Sequence, residues 1–197
     1  MEISVIGCGY VGLVTGLGFA ELGNSVIFVD SDEFKLKLIN ALKPPIYEPG
    51  LEELMRRNGG RFYATNDYQE AISNSEISFI CVGTPSKEDG SIDLSHVKAS
   101  ARQIGESLRN KDGYHVVVVK STVLPGTTEN VVRQIIEEMS GKKAFIDFGL
   151  AVNPEFLREG NAVEDFFNPD RIVIGIRDEK TREILENFIL PLTVPSS

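Results

Sequence analysis

The first thirty residues, MEISVIGCGYVGLVTGLGFAELGNSVIFVD, constrain this chain more than any other stretch. Glu2 to Ile6 is a short β-favouring run that stops at Gly7-Cys8-Gly9-Tyr10-Val11-Gly12, a GxGxxG spacing where a strand hands over to a helix. Each glycine has its own physical task. Gly7 permits a tight turn, Gly9 lets a pyrophosphate approach the backbone, and Gly12 lets helix and strand pack closely. The helix that follows offers an anion its free N–H groups and the positive end of its dipole. Leu13, Leu17 and Ala20 continue at helical spacing, with Gly16 and Gly18 keeping that helix slim. Ser25 to Val29 reads as a second strand, closed by Asp30 eighteen residues after Gly12. A carboxylate there accepts hydrogen bonds from both ribose hydroxyls of an adenosine and repels a 2′-phosphate.

A GxGxxG alone is a weak signal, because glycine turns also occur for purely structural reasons. Here strand, turn, helix, second strand and terminal acid occur together, which points to a dinucleotide grip. Ser31-Asp32-Glu33 follow Asp30 with no arginine to receive a phosphate, which favours NAD over NADP, and no GxxxxGK[ST] occurs anywhere.

The remaining pattern repeats the alternation of strand and helix. Glu33 to Leu42 reads as a helix with Phe34, Leu38 and Leu42 on one face and Lys35 in its first turn, an unusual place for a cation unless an anion lies close. An exposed lysine paired with local acids is the plain alternative. Ile46 to Gly50 is a turn-rich loop, Leu51 to Arg57 a short helix, Phe62 to Ala64 a third strand and Asp67 to Ser73 another helix. Glu76 to Val82 is an apolar run of the kind buried on both faces, ending in Gly83-Thr84-Pro85. Ser86 to Asp93 is a polar, mobile loop and Leu94 to Leu108 a helix.

His115 to Val119 is the most β-branched segment and ends in Lys120-Ser121-Thr122, with Pro125 opening a helix that runs to about Met139. A sixth strand, Ala144 to Val152, completes two βαβαβ halves and leads into Asn153-Pro154-Glu155-Phe156-Leu157-Arg158-Glu159-Gly160. Ile172 to Ile176 adds a strand, Asp178 to Leu190 a helix, and Pro191 to Ser197 an irregular end. The expected fold is α/β, a doubly wound, mostly parallel sheet of Rossmann type, with residues 1–190 as one NAD-binding domain and 191–197 as a linker or truncated end. In such a sheet ligands collect at the carboxyl ends of strands, where Thr84, Thr122 and the carboxylates Glu155 and Glu159 stand. Each has a structural alternative: a threonine before proline is common in turns, and acids four apart are usually a solvated turn of helix.

Composition narrows the function classes. The chain has 197 residues, a formal net charge of −9 and a pI near 4.8, which argue against a broad nucleic-acid or anionic-membrane surface. No apolar stretch is long enough to span a bilayer, and Met1 leads directly into the first strand, so a cytoplasmic protein without a signal peptide is expected. Cys8 and Cys81 lack metal-ligand spacing, no metal site is expected, and both read as inert buried thiols.

Seven stretches, GCGYVG, VDSDEFK, IYEPGLEEL, FICVGTPS, KSTVLPGTT, NPEFLREG and NPDRIVIG, occur in an order that resembles the N-terminal part of the nucleotide-sugar 6-dehydrogenases, the UDP-glucose and GDP-mannose enzymes. The resemblance covers essentially the whole chain. It implies that the N–H groups of Tyr10 and Val11 meet the pyrophosphate, that Asp30 and Lys35 hold the adenosine ribose, and that Thr84 and Thr122 line the NAD site. It also implies that Glu155, Phe156, Leu157, Arg158 and Glu159 cradle a nucleotide sugar, with Glu155 as general acid/base, Thr122 beside it in the catalytic set and Glu159 near the nicotinamide. The family reaction oxidises a sugar C6 alcohol twice to a carboxylate with two NAD, through a cysteine thiohemiacetal and thioester.

The family's catalytic lysine, asparagine and cysteine have no counterpart before Ser197, so the expectation is a truncated or split enzyme that binds NAD without turning over. A homodimer is implied for the longer enzyme and a monomer for these residues. UDP-glucose is the favoured substrate on IYEPGLEEL and NPDRIVIG, while GTPSKEDG and STVLPGTT fit GDP-mannose at least as well. A β-hydroxyacid or 6-phosphogluconate type dehydrogenase shares only the glycine turn. A non-catalytic NAD-binding module is the remaining alternative.

Overall fold

Short apolar runs separated by helical patterns dictate a parallel sheet, because parallel strands connect through right-handed helical crossovers. The computed structural model describes residues 1–189 and shows this arrangement. Strands β1 (Glu2–Ile6), β2 (Ser25–Val29), β3 (Phe62–Thr65), β4 (Ile77–Ile80), β5 (Val116–Val119), β6 (Gly149–Val152) and β7 (Gly175–Ile176) form one sheet in the order β3-β2-β1-β4-β5-β6-β7. All neighbours are parallel except β6 and β7. The order reverses between β2 and β4 around β1, and this switch point opens a crevice at the carboxyl ends of the strands.

Helices cover both faces. On one lie α1 (Tyr10–Glu21), α2 (Glu33–Asn40), α3 (Leu51–Arg57), α7 (Ala162–Phe167) and α8 (Glu179–Ile189). On the other lie α4 (Tyr68–Ser73), α5 (Ser95–Leu108) and α6 (Arg133–Ser140), the last preceded by a π-helical turn, Thr128–Val132. The central strands β4 and β5 are buried along their whole length, which is why they read as unbroken apolar runs.

α1 is buried from Gly12 to Ala20, since the sheet holds one side and α7 and α8 the other. Phe19 lies 5.0 Å from Phe79, 5.6 Å from Phe166 and 4.6 Å from Phe188 between ring centroids, which makes it the hub of that layer. The slimness expected of α1 has named causes: a Cβ on Gly16 would fall 2.4 Å from the Phe28 ring, and one on Gly18 2.1 Å from that of Phe166.

Several expected elements differ in detail. In α2 the buried residues are Leu36 and Ile39, while Phe34 is 69% exposed, so the face at 34, 38 and 42 is not the packing face. β6 starts at Gly149 because Ala144 to Phe148 forms a tight turn, closed by Phe145 N–H to Phe148 O at 2.7 Å with Phe145 at φ +68. β7 keeps only Gly175–Ile176 of the expected strand and runs antiparallel. The helix expected from Pro125 begins at Thr128 as the π turn. The loop expected to be mobile is folded back on itself, with Ser86 bridged to Ile92. α7 had no expected counterpart, and the expected end at 191–197 lies outside the described residues.

Candidate functional site

Backbone requirements fix the glycine turn. Gly7 has φ +100, a conformation that side chains disfavour, and its N–H donates to Val29 O at 2.8 Å, tying the turn to the end of β2. A Cβ on Gly12 would lie 1.9 Å from Gly7 O, so helix and turn touch only because the third glycine lacks one. Gly9 is different: a Cβ there meets nothing within 4 Å and would project into open space, where an approaching ligand would find it. α1 begins immediately after, with no side-chain cap, and leaves the N–H groups of Tyr10 and Val11 without intrahelical acceptors. Turn and helix end thus form a cradle for an anion, and the residues fit a dinucleotide pyrophosphate.

Asp30 organises the same corner. Its Oδ2 accepts from Cys8 N–H at 2.7 Å and its Oδ1 from Asp32 N–H at 3.0 Å, so the carboxylate is held with lone pairs left over for a ribose. Asp32 in turn caps α2, accepting from the N–H groups of Phe34 and Lys35. Lys35, in the first turn of α2, is close enough for its charge to lower the Cys8 thiol pKa against the burial that raises it.

A groove of about 230 Å³ runs from Gly9, Tyr10 and Val11 past Cys81, Gly83 and Thr84 to Ser121, Thr122 and Glu155. Strand ends fix its floor: Thr84 Oγ1 donates to Thr122 O at 2.8 Å, and Ser121 Oγ donates to Val82 O at 2.6 Å. Beyond it a larger cavity of about 470 Å³ is bounded by the 153–158 loop, α7 and the segment Asn168 to Ile172. Lys120 and Glu155 line both spaces, so groove and cavity meet at these two side chains.

The 153–160 segment is an irregular loop, and the carboxylates of Glu155 and Glu159 are not a turn of helix. Glu155 Oε2 accepts from Leu157 N–H at 2.6 Å. Arg158 turns away to Asp165, bonding it through its backbone N–H at 2.8 Å, Nε at 3.1 Å and Nη2 at 2.6 Å, and holding that carboxyl well below the usual range. Its charge is therefore spent within the loop. Phe156 is half exposed on the cavity wall with the Arg171 guanidinium 5.2 Å from its ring centroid. Burial raises the Tyr10 phenol above its ordinary value, helped by the charges of Glu155, Glu159 and Glu48.

Of the expected residues, Gly9, Tyr10, Val11, Thr84, Thr122 and Glu155 line the groove, Gly7 and Gly12 shape the turn beside it, and Phe156, Leu157 and Arg158 line the cavity, whereas Asp30, Lys35 and Glu159 border neither space directly.

Two residues escaped the sequence reading. Glu48, buried in the IYEPG loop, accepts from the N–H groups of Gly160 and Ala162, both at 2.8 Å, and so anchors the far end of the 153–160 loop and the start of α7. Lys120, the residue before Ser121 and Thr122, is 8% exposed and donates to Asn153 Oδ1 at 3.1 Å. Burial pulls its ammonium pKa down, against the pull of Cys81 and Glu155. Cys8 and Cys81 are free and buried, and burial pushes both thiols up, Cys81 to about 12. Among the described residues no group of three His, Cys, Asp or Glu is arranged to hold a metal ion, and no helix is long and apolar enough to cross a membrane.

Comparison with known proteins shows the family. The model of the UDP-glucose/GDP-mannose dehydrogenase family, NAD binding domain, matches residues 1–192. GDP-mannose 6-dehydrogenase of Pseudomonas aeruginosa is 48% identical over 197 residues, 99% of this chain and 45% of that protein. A UDP-glucose 6-dehydrogenase of Haloferax volcanii is 48% identical over 193 residues, 98% of this chain and 45% of that protein. A crystal structure of a ternary complex of the Pseudomonas aeruginosa GDP-mannose dehydrogenase superposes with a TM-score of 0.96 at 48% identity, covering 98% of this chain and 45% of that one. The chain therefore spans slightly under half the length of these relatives. It belongs to the UDP-glucose/GDP-mannose dehydrogenase family, as its NAD-binding domain.

Proposed function

We propose that this domain serves the oxidation of the C6 alcohol of a nucleotide sugar to the uronate, with residues 1–190 acting as one cofactor-binding unit. The observation that carries the reading is the junction at Glu155, where a dinucleotide groove opens into a second cavity beside a carboxylate. Bound NAD supplies a hydride acceptor. Tyr10 and Val11 N–H groups hold the pyrophosphate, Asp30 and Lys35 the adenosine ribose, and Thr84 and Thr122 the nicotinamide half. Backbone from Glu155 to Glu159 cradles the sugar, and the Glu155 carboxylate takes the proton from the hydroxyl being oxidised.

UDP-glucose is the substrate we favour, because the NPDRIVIG segment that resembles the UDP-glucose enzymes supplies Asp170 and Arg171 to the cavity wall. GDP-mannose is the second reading, supported by the 48% identity to the Pseudomonas aeruginosa enzyme. Calorimetric titration of the NAD-loaded chain with each sugar decides between them: stronger UDP-glucose binding is expected, and stronger GDP-mannose binding would overturn that preference.

Residues 1–197 by themselves bind NAD but do not sustain turnover. The second oxidation needs an accessible thiolate, and both cysteines are buried with raised pKa values. Steady NADH formation from either sugar by this chain alone would refute this.

A further inference from the structure

Lys120 is an unusual wall residue. It follows β5, and its backbone N–H donates to Ile80 O at 2.9 Å, which fixes the stem. Its ammonium carries three donors, of which one reaches Asn153 Oδ1 at 3.1 Å, and no other acceptor meets it among the described residues. Asn153 is itself pinned by its donation to Val173 O at 2.8 Å. A buried ammonium with donors to spare is costly until something accepts from it.

Glu155 is the carboxylate at the same junction. Its charge is felt at Lys120, yet among the described residues no ion pair joins the two. One of its oxygens serves Leu157 N–H, and the other has no partner among the described residues. A cation in need of an acceptor and a carboxylate with lone pairs to spare therefore border one space without closing on each other. The group that satisfies both through a single atom is a hydroxyl, which accepts from the ammonium and donates to the carboxylate.

We infer that Lys120 and Glu155 together form a receptor for the sugar hydroxyl that is to be oxidised, with Lys120 as a substrate-binding residue of this domain. This rests on the reading that the cavity takes a nucleotide sugar.

The test uses the whole chain with lysine labelled at 13Cε, the Lys120 signal being assigned by its loss in Lys120→Arg. The NAD-loaded protein is titrated with UDP-glucose, GDP-mannose and their 6-deoxy analogues. The Lys120 signal should move with at least one hydroxyl-bearing sugar and not with its 6-deoxy analogue. By calorimetry, Lys120→Met should weaken binding of that sugar by about tenfold or more and abolish its preference over the 6-deoxy analogue, and Lys120→Arg should recover part of the loss. If Lys120→Met does not fold, the wild-type signal alone decides. Movement with NAD alone, equal movement with sugar and deoxy sugar, or no sugar binding by a chain that binds NAD would each overturn the inference. Failure to bind NAD would instead sink the reading of the groove.

Discussion

Thr15 lies in the middle of α1 with its Oγ1 buried and without a hydrogen-bond partner among the described residues. A hydroxyl desolvated in this way costs free energy that a methyl of the same shape does not. Thr15→Val should therefore raise stability by about 1 kcal/mol, seen as a Tm about 3 °C higher. An unchanged or lower Tm would show that the hydroxyl is satisfied. At this scale the sequence was most legible where a single backbone position dictates the residue. Gly7 and Gly12 are glycine because of a left-handed φ and a 1.9 Å contact, requirements that leave their trace in the spacing itself. Lys120 left no such trace, because its burial depends on Asn153, thirty-three residues away, and on a loop that no local rule positions.

Three central strands are joined at the element scale by a buried polar chain. His115 Nδ1 lies 3.0 Å from Ser75 O, which can only accept, so the proton is on Nδ1 and Nε2 must accept from Ser78 Oγ at 2.7 Å. Ser78 then accepts from Ser4 at 2.6 Å, and Ser4 from Ser75 at 3.0 Å, so one carbonyl sets every direction in the loop. A second proton on the ring would break this order in a site where burial, then Lys111 and Lys142, already oppose positive charge, and the His115 pKa falls from 6.5 to about 3. The unfolded chain takes up a proton below pH 6.5 that the folded chain refuses until about pH 3. The stability held by a neutral His115 is complete above pH 6.5 and is lost as the pH falls towards 3.

Urea unfolding of the wild type and His115→Asn should show it: the wild-type advantage should shrink by about 1.4 kcal/mol per pH unit below 6.5. Parallel profiles would contradict the network. The same scale shows where periodicity failed. Phe34, Leu38 and Leu42 recur every four residues, but α2 ends at Asn40 and packs through Leu36 and Ile39. α7 is a six-residue helix whose start is held by Glu48, 114 residues earlier, a dependence no local window contains.

For the whole molecule, the order of strands was legible because apolar runs such as Val116–Val119 admit only central, doubly covered positions. That order places Gly9, Thr84, Thr122 and Glu155 on one crevice although more than a hundred residues separate the first from the last. The second cavity was not legible, since it is bounded by α7 and the 168–172 segment, neither of which follows the expected pattern. The formal net charge of −9 is carried by a chain whose glycine turn nonetheless presents free N–H groups at the start of α1.

The central claim is that this crevice is an NAD site whose cofactor choice is set by Asp30. Calorimetric titration of the wild type and Asp30→Asn with NAD and NADP tests it most directly. The wild type should bind NAD at least about tenfold more tightly than NADP, and the variant should bring the two within about threefold of each other by weakening NAD. Equal affinities in the wild type, or an undiminished preference in the variant, would contradict the account.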